Sequence, residues 1–390
     1  MLDKKVGLIF LAILFVVSSI VSYAYFSFVK GGGGLKSAVT GYNVPQNGSS
    51  QKTPIDPSAP KTEACPLNGE MLTKAHKTRW EGRRPLGIMV ENHTEARPQS
   101  GLSSADVIYE AVAEGGITRF LAVYYCQDAA FVGPVRSARI YFVKLIQGYG
   151  QYPLYAHVGG ANTDGPADAL GEIDDLEWAG YNDLNQFSVP FPNFWRDYER
   201  LPNRATEHTV YTSTSKLWDF ARTKRQLSNV DAKGNSWNKG FTPWKFKDDA
   251  AAAKRGTVKS ISFGFWDYFA NEYAVTWAYD KATNTYVREN GGTLHLDKNT
   301  GKAMKSKTVV VVFAEESPAN DGYPGGHLLY GIVGKGDALV FQDGQAISAT
   351  WKKADEESMI RFYDESGKEM ELNRGQVFVE ILPEGNKVTY

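Results

Sequence analysis

Arginine, histidine and glycine fall together in two short stretches of this chain, and those are the residue types that hold anions and move protons. The first is Gly133-Pro134-Val135-Arg136-Ser137-Ala138-Arg139. Arg136 and Arg139 stand three apart, the spacing that puts two side chains on one helix face. With Pro134 in a first helical turn, both guanidinium groups and Ser137 border free backbone N–H groups, a combination suited to phosphate or carboxylate. Arg119, just after the turn Gly115-Gly116, is the natural third member. The competing reading is internal pairing with Glu91, Glu110 and Glu114, which lie on adjoining predicted strands and would be costly if buried alone.

The second stretch is His157-Val158-Gly159-Gly160-Ala161-Asn162-Thr163-Asp164. Glycines let backbone N–H groups approach a ligand closely, a histidine can pass a proton near neutral pH, and Asp164 could orient it or cap a helix. One reading makes Arg119, Arg136, Ser137, Arg139, Gly159, Gly160 and Asn162 a ligand site. A second makes His157, assisted by Asp164 or Glu114, the acid or base of a hydrolase or transferase. A third makes the stretch a positive-φ turn, a core histidine and a helix cap. If the strands leading into both stretches are parallel, their loops open on one edge of a common sheet.

Other patterns exclude more than they suggest. The six histidines are scattered without ligand spacing, and there is no P-loop, dinucleotide fingerprint, nucleophile elbow or His-Glu-x-x-His pair, so neither metal nor cofactor is expected. Asp297-Lys298-Asn299-Thr300-Gly301 echoes a calcium loop but lacks its twelfth-position glutamate and reads as a hairpin turn. Lys plus Arg (43) nearly cancels Asp plus Glu (44), so no global field draws the protein to nucleic acid.

The elements that position these residues follow from periodicity. Leu86 to Asn92 reads as a strand, Asp106 to Glu114 and Ile117 to Cys126 as a strand pair, Ser137 to Gly148 as a helix, and Ala167 to Ile173 as another helix with Pro166 near its first position. Beyond Gly256 the pattern is almost wholly β. The expected fold is α+β: a mixed α/β domain over 63–226, an interdomain segment 227–256, and a mostly antiparallel β domain over 257–385.

Ahead of these, residues 1–5 carry two lysines, 6–29 form an uncharged run long enough to span a bilayer, and 30–62 form a glycine- and proline-rich tether. The lysines favour a cytoplasmic N-terminus and a single-pass protein with an extracytoplasmic body, the lipid bilayer being its partner through that helix. Ser22-Tyr23-Ala24 leaves a cleaved signal peptide as the rival. Cys65 and Cys126 are the chain's two cysteines; in an oxidising compartment they read as a disulfide that pins the entry segment to the end of a strand.

The combination Arg84-Pro85-Leu86, Glu91-Asn92, Ala96-Arg97-Pro98-Gln99-Ser100-Gly101-Leu102, Glu114-Gly115-Gly116-Ile117-Thr118-Arg119, Gly133 to Arg139 and His157-Val158-Gly159-Gly160 resembles the YerB-like bacterial lipoproteins. The resemblance implies an extracytoplasmic α+β protein whose two halves are domains of unknown function, and it supplies no activity. Lipoprotein members carry a modified cysteine that has no counterpart at the end of the 6–29 run. The expected function is binding of a cell-wall or other anionic envelope component. The alternatives are the His157 enzyme and a purely structural or protein-interaction role.

Overall fold

Two apolar runs joined at Gly115-Gly116 form the hairpin at the centre of the fold: Val107–Glu114 pairs antiparallel with Ile117–Tyr124. The turn needs φ of 56° and 79° at its two glycines, a region that side chains with a Cβ resist. Both strands are buried almost throughout, so they read as near-continuous apolar runs. The computed structural model describes residues 55–266 and 270–390, which belong to one compact unit. The predicted span 6–29, and the tether as far as residue 54, lie outside the described residues; among those described no helix is long and apolar enough to cross a membrane.

The hairpin sits inside a ten-stranded sheet. In spatial order its strands are Arg361–Tyr363, Gln345–Lys353, Gly334–Gln342, Thr308–Ala314, Val377–Pro383, Val107–Glu114, Ile117–Tyr124, Leu86–Glu91, Leu154–His157 and Asp183–Asn185. The fold is α+β, as expected, but its halves are not two bodies with separate sheets. The C-terminal strand Val377–Pro383 inserts parallel between Thr308–Ala314 and Val107–Glu114, and its first six residues are buried. Burying that apolar strand on both edges and both faces takes partners from both halves of the sequence, which is why one sheet runs through both.

A five-stranded antiparallel sheet built on Ser260–Phe263, Val275–Asp280 and Thr285–Asn290 packs on the central one, with Trp277 against Phe378 at 5.0 Å between ring centroids. Helix Ile140–Gln147 packs on the strands of the first half. Gly87 permits its close approach, since a Cβ there would lie 2.8 Å from Ile146 Cδ1. The segment 227–256 is no loose excursion. Trp237 and Trp244 are buried, Trp244 Nε1 donates to Ile360 O at 2.7 Å, and Lys245–Lys247 pairs parallel with Glu371–Asn373.

The disulfide is formed: Cys65 and Cys126 are joined with their Cα atoms 5.9 Å apart, fastening the entry segment to the end of strand Ile117–Tyr124. Beside it, Asp106 Oδ2 accepts from the backbone N–H groups of Tyr125 (2.6 Å) and Cys126 (2.9 Å), and Oδ1 accepts from Asn68 Nδ2 at 3.1 Å.

Candidate functional site

The two arginine- and glycine-bearing stretches meet, by a route different from the one predicted. Leu86–Glu91 and Leu154–His157 pair in parallel only over Leu86–Ile88 and Leu154–Ala156, and beyond that point another segment of chain stands between them. That segment is Pro134–Ala138. Glu91 N donates to Pro134 O (2.9 Å) and Arg136 N to Met89 O (3.0 Å) on one side; Val158 N donates to Arg136 O (3.0 Å) and Ala138 N to Gly159 O (2.9 Å) on the other. The strands preceding the two stretches, Ile117–Tyr124 and Leu154–His157, each flank Leu86–Glu91, one antiparallel and one parallel, so the parallel condition is not what unites them. An inserted extended segment does it instead.

That insertion corrects the helix-entrance picture. Pro134 is not in a helical turn, and Arg136 and Arg139 do not share a helix face, because residues 134–138 spend their backbone groups on the flanking strand ends and must be extended. The helix begins at Ile140, with Arg139 as its N-cap in β conformation. Asp164 caps nothing either: the next helix is Ala169–Asp175, and Asp168 Oδ1 accepts from Gly171 N at 2.8 Å. Aspartate satisfies a free helical N–H there, a task proline at the first turn leaves undone.

Two of the three arginines are buried and matched to one carboxylate. Arg119 Nη2 donates to Glu114 Oε1 at 2.6 Å and its Nη1 to Ser137 O at 3.2 Å. Arg139 Nη2 bonds the other oxygen of Glu114, and its Nη1 donates to Ala138 O at 2.7 Å. Both arginines are 4% exposed. Burial, with the nearby Arg136 charge, lowers Arg119 to about 10, which still leaves it cationic at neutral pH. Glu114 is therefore engaged by two guanidinium groups rather than placed beside His157. Arg136 differs. Its side chain is 27% exposed, and among the described residues only its Nε is bonded, to Glu91 Oε1 at 3.0 Å.

His157 is wholly buried, with Nδ1 2.6 Å from Gly159 O and Nε2 2.6 Å from Asp183 Oδ1. Both ring nitrogens face acceptors within the protein and neither faces solvent, so the expected acid–base role has no atom to perform it. The histidine instead holds the loop, whose Gly159 takes φ 59° while its N–H donates to Asn185 Oδ1 at 3.2 Å. Gly159, Gly160 and Ser137 are half-buried, and Asn162 and Asp164 are exposed. Phe187, 77% exposed, leans over this loop, its Cε2 3.3 Å from where a Cβ on Gly159 would stand.

Sequence reasoning missed His208 and His93. Glu91, 3% exposed, accepts from Arg136 through one oxygen and meets His208 Nδ1 at 2.9 Å through the other, and the His208 ring stacks on His93 with centroids 4.8 Å apart. Glu91 on a strand was the available signal, but nothing local ties it to a histidine more than a hundred residues away. Asp297 forms the hairpin turn predicted for it, and its carboxylate also accepts from Gly101 N (3.1 Å) and Ser103 N (2.8 Å) in the other half of the chain.

An α+β fold with one sheet shared by two sequence regions, stitched by a C-terminal strand, defines the class. The chain belongs to the DUF3048 family: the model described as "Protein of unknown function (DUF3048) N-terminal domain" matches residues 72–228, and that of the DUF3048 C-terminal domain matches residues 265–379. Over 338 residues the chain is 32% identical to a Bacillus subtilis (strain 168) protein described as "Putative lipoprotein YerB", covering 86% of this chain and 90% of that one. The crystal structure of the YerB protein from Bacillus subtilis matches with a TM-score of 0.66 at 29% identity, over 84% of this chain and 100% of that one.

Proposed function

We propose that this protein is a membrane-attached, extracytoplasmic binding protein that takes an anionic component of the cell envelope at Arg136 and the Gly159-Gly160 loop. The observation that carries the reading is Arg136, whose side chain at the strand ends is 27% exposed and, among the described residues, bonded through Nε alone. Ligands of sheets with parallel strands bind outside the carboxyl ends of those strands, and that is where Arg136 stands, at the ends of Leu86–Glu91 and Leu154–His157. Ser137 and the glycine loop stand beside it, and Phe187 offers an exposed ring for an apolar part of the ligand. Arg119 and Arg139 serve the site from behind, by fixing Glu114 and the Ser137 carbonyl.

Membrane attachment rests on the uncharged run 6–29 and on the description of the Bacillus subtilis relative as a lipoprotein. An extracytoplasmic body fits the Cys65–Cys126 disulfide, which persists in oxidising compartments. The test is cosedimentation of the detergent-solubilised full chain with purified cell wall. Arg136→Ala should weaken binding about tenfold, the worth of one charged hydrogen bond, while the chain stays folded, with some loss of stability because Glu91 keeps only His208. Unchanged binding by that variant would remove the proposal.

A further inference from the structure

A cavity of about 260 Å³ lies between helix Ile140–Gln147 and the antiparallel pair Glu316–Pro318 and Leu328–Tyr330. Its lining joins two chemistries. Tyr330 lines it, with the Tyr141 ring packed edge to face against its own, centroids 4.9 Å apart. Both hydroxyls are committed elsewhere, Tyr141 to Val112 O at 2.6 Å and Tyr330 to the Glu316 carboxylate; Tyr141 is wholly buried behind Tyr330, so of the two only the ring edge of Tyr330 reaches the cavity. Ile140 and Leu329 extend that apolar surface, while Lys144 and the exposed Glu315 bring charges of both signs to the same cavity.

We infer that this cavity binds an apolar residue carrying a free carboxylate, either a free amino acid or the last residue of a peptide. Lys144 is the group for the carboxylate. Its present partner is Glu356 Oε1 at 2.9 Å, a half-exposed pair with 30% and 42% of the two side chains accessible, and such a pair contributes little. Glu315 is the group for an ammonium, which a free amino acid has and a peptide terminus lacks. An inorganic anion would leave the tyrosine and leucine surface unused, and a hydrocarbon would leave both charges unused. The volume lies below the roughly 300 Å³ at which pockets for drug-sized ligands begin, which suits one residue. The site does not depend on Arg136.

Isothermal titration of the full chain with leucine, N-acetylleucine and leucinamide tests this. Leucine binding with leucinamide at least tenfold weaker is the expected result, and Lys144→Met should remove that preference. Leucine stronger than N-acetylleucine identifies a free amino acid; N-acetylleucine equal or stronger identifies a peptide terminus. Leu329→Trp, at a half-buried position lining the cavity, should fill it and abolish binding while the melting temperature is retained. Leucinamide binding as well as leucine, no binding of any probe, or full binding by Leu329→Trp would each overturn the inference.

Discussion

Arg288 Nη2 stands 2.5 Å from Glu110 Oε2, and neither side chain has any exposure. The two residues belong to different family-matched regions, so this ion pair, together with the inserted C-terminal strand, makes one core of the two. Around it, Glu110 Oε1 accepts from Asn92 Nδ2 (3.0 Å) and Thr118 Oγ1 (2.6 Å), and Arg288 Nη1 meets His295 Nδ1 at 2.8 Å. A second carboxyl, Glu380, accepts from Trp277 Nε1 at 3.0 Å and lies 3.6 Å from Arg288 Nε. Burial, and then the charge of Glu110, push Glu380 well above the usual carboxylate range.

That asymmetry makes a prediction. Arg288→Met leaves Glu110 buried without a counter-ion and should cost about 3–5 kcal/mol in urea denaturation. Burial and Glu110 both disfavour a charge on Glu380, and glutamine keeps its shape and its acceptor for Trp277, so Glu380→Gln should cost less than about 1 kcal/mol. Equal losses for the two variants would mean that Glu380 is charged in the folded protein.

Asp106 predicts a pH dependence. Burial raises its carboxyl from the ordinary 3.8 to about 7, against the backbone N–H groups of Tyr125 and Cys126, which favour the charged form. A folded-state pKa above the unfolded one means the native protein holds the proton more tightly. The contribution is therefore full below about pH 4 and is lost as pH rises towards about 7, by at most about 4 kcal/mol. Unfolding free energy measured across that window should fall with pH in the native protein and flatten in Asp106→Asn. A slope that survives in the variant would assign the dependence to another group.

Several parts of this fold were legible because they are local. Gly115-Gly116 between two apolar runs announced the hairpin, the spacing of Ile140, Val143 and Ile146 announced the helix, and Cys65 and Cys126 announced their bond. What was hidden is non-local. Nothing in Val377–Pro383 names its neighbours, which lie at Thr308–Ala314 and Val107–Glu114, and nothing in Pro134–Ala138 says that two strand ends will hold it extended. Charge was ambiguous for the same reason. Arginines near glutamates fit both a ligand site and an internal network, and only the structure shows Glu114 held between Arg119 and Arg139, which commits those two to the network, while Arg136 spends its Nε on Glu91 and keeps a half-exposed side chain.

The disulfide should matter more to the unfolded chain than to any contact it makes. It closes a separation of 61 residues, and loop entropy for that length corresponds to about 4 kcal/mol. The double variant Cys65→Ala, Cys126→Ala should lose about that much in denaturation while keeping the native circular dichroism spectrum. A loss under about 1 kcal/mol would show that the denatured chain is already restrained in this region.

His157 offers the sharpest separation between a structural and a catalytic histidine. His157→Leu removes the partner of Asp183, whose side chain is 6% exposed, and takes one of two donors from the Gly159 carbonyl, so it should cost about 3 kcal/mol or more. Adding Asp183→Leu removes the orphaned charge, and the double variant should then recover part of the loss. A double-mutant cycle measures that coupling, which the 2.6 Å contact makes large. If the two losses simply add, the histidine and aspartate are not a unit and the account of how the Gly159-Gly160 loop is held beside Arg136 fails with it.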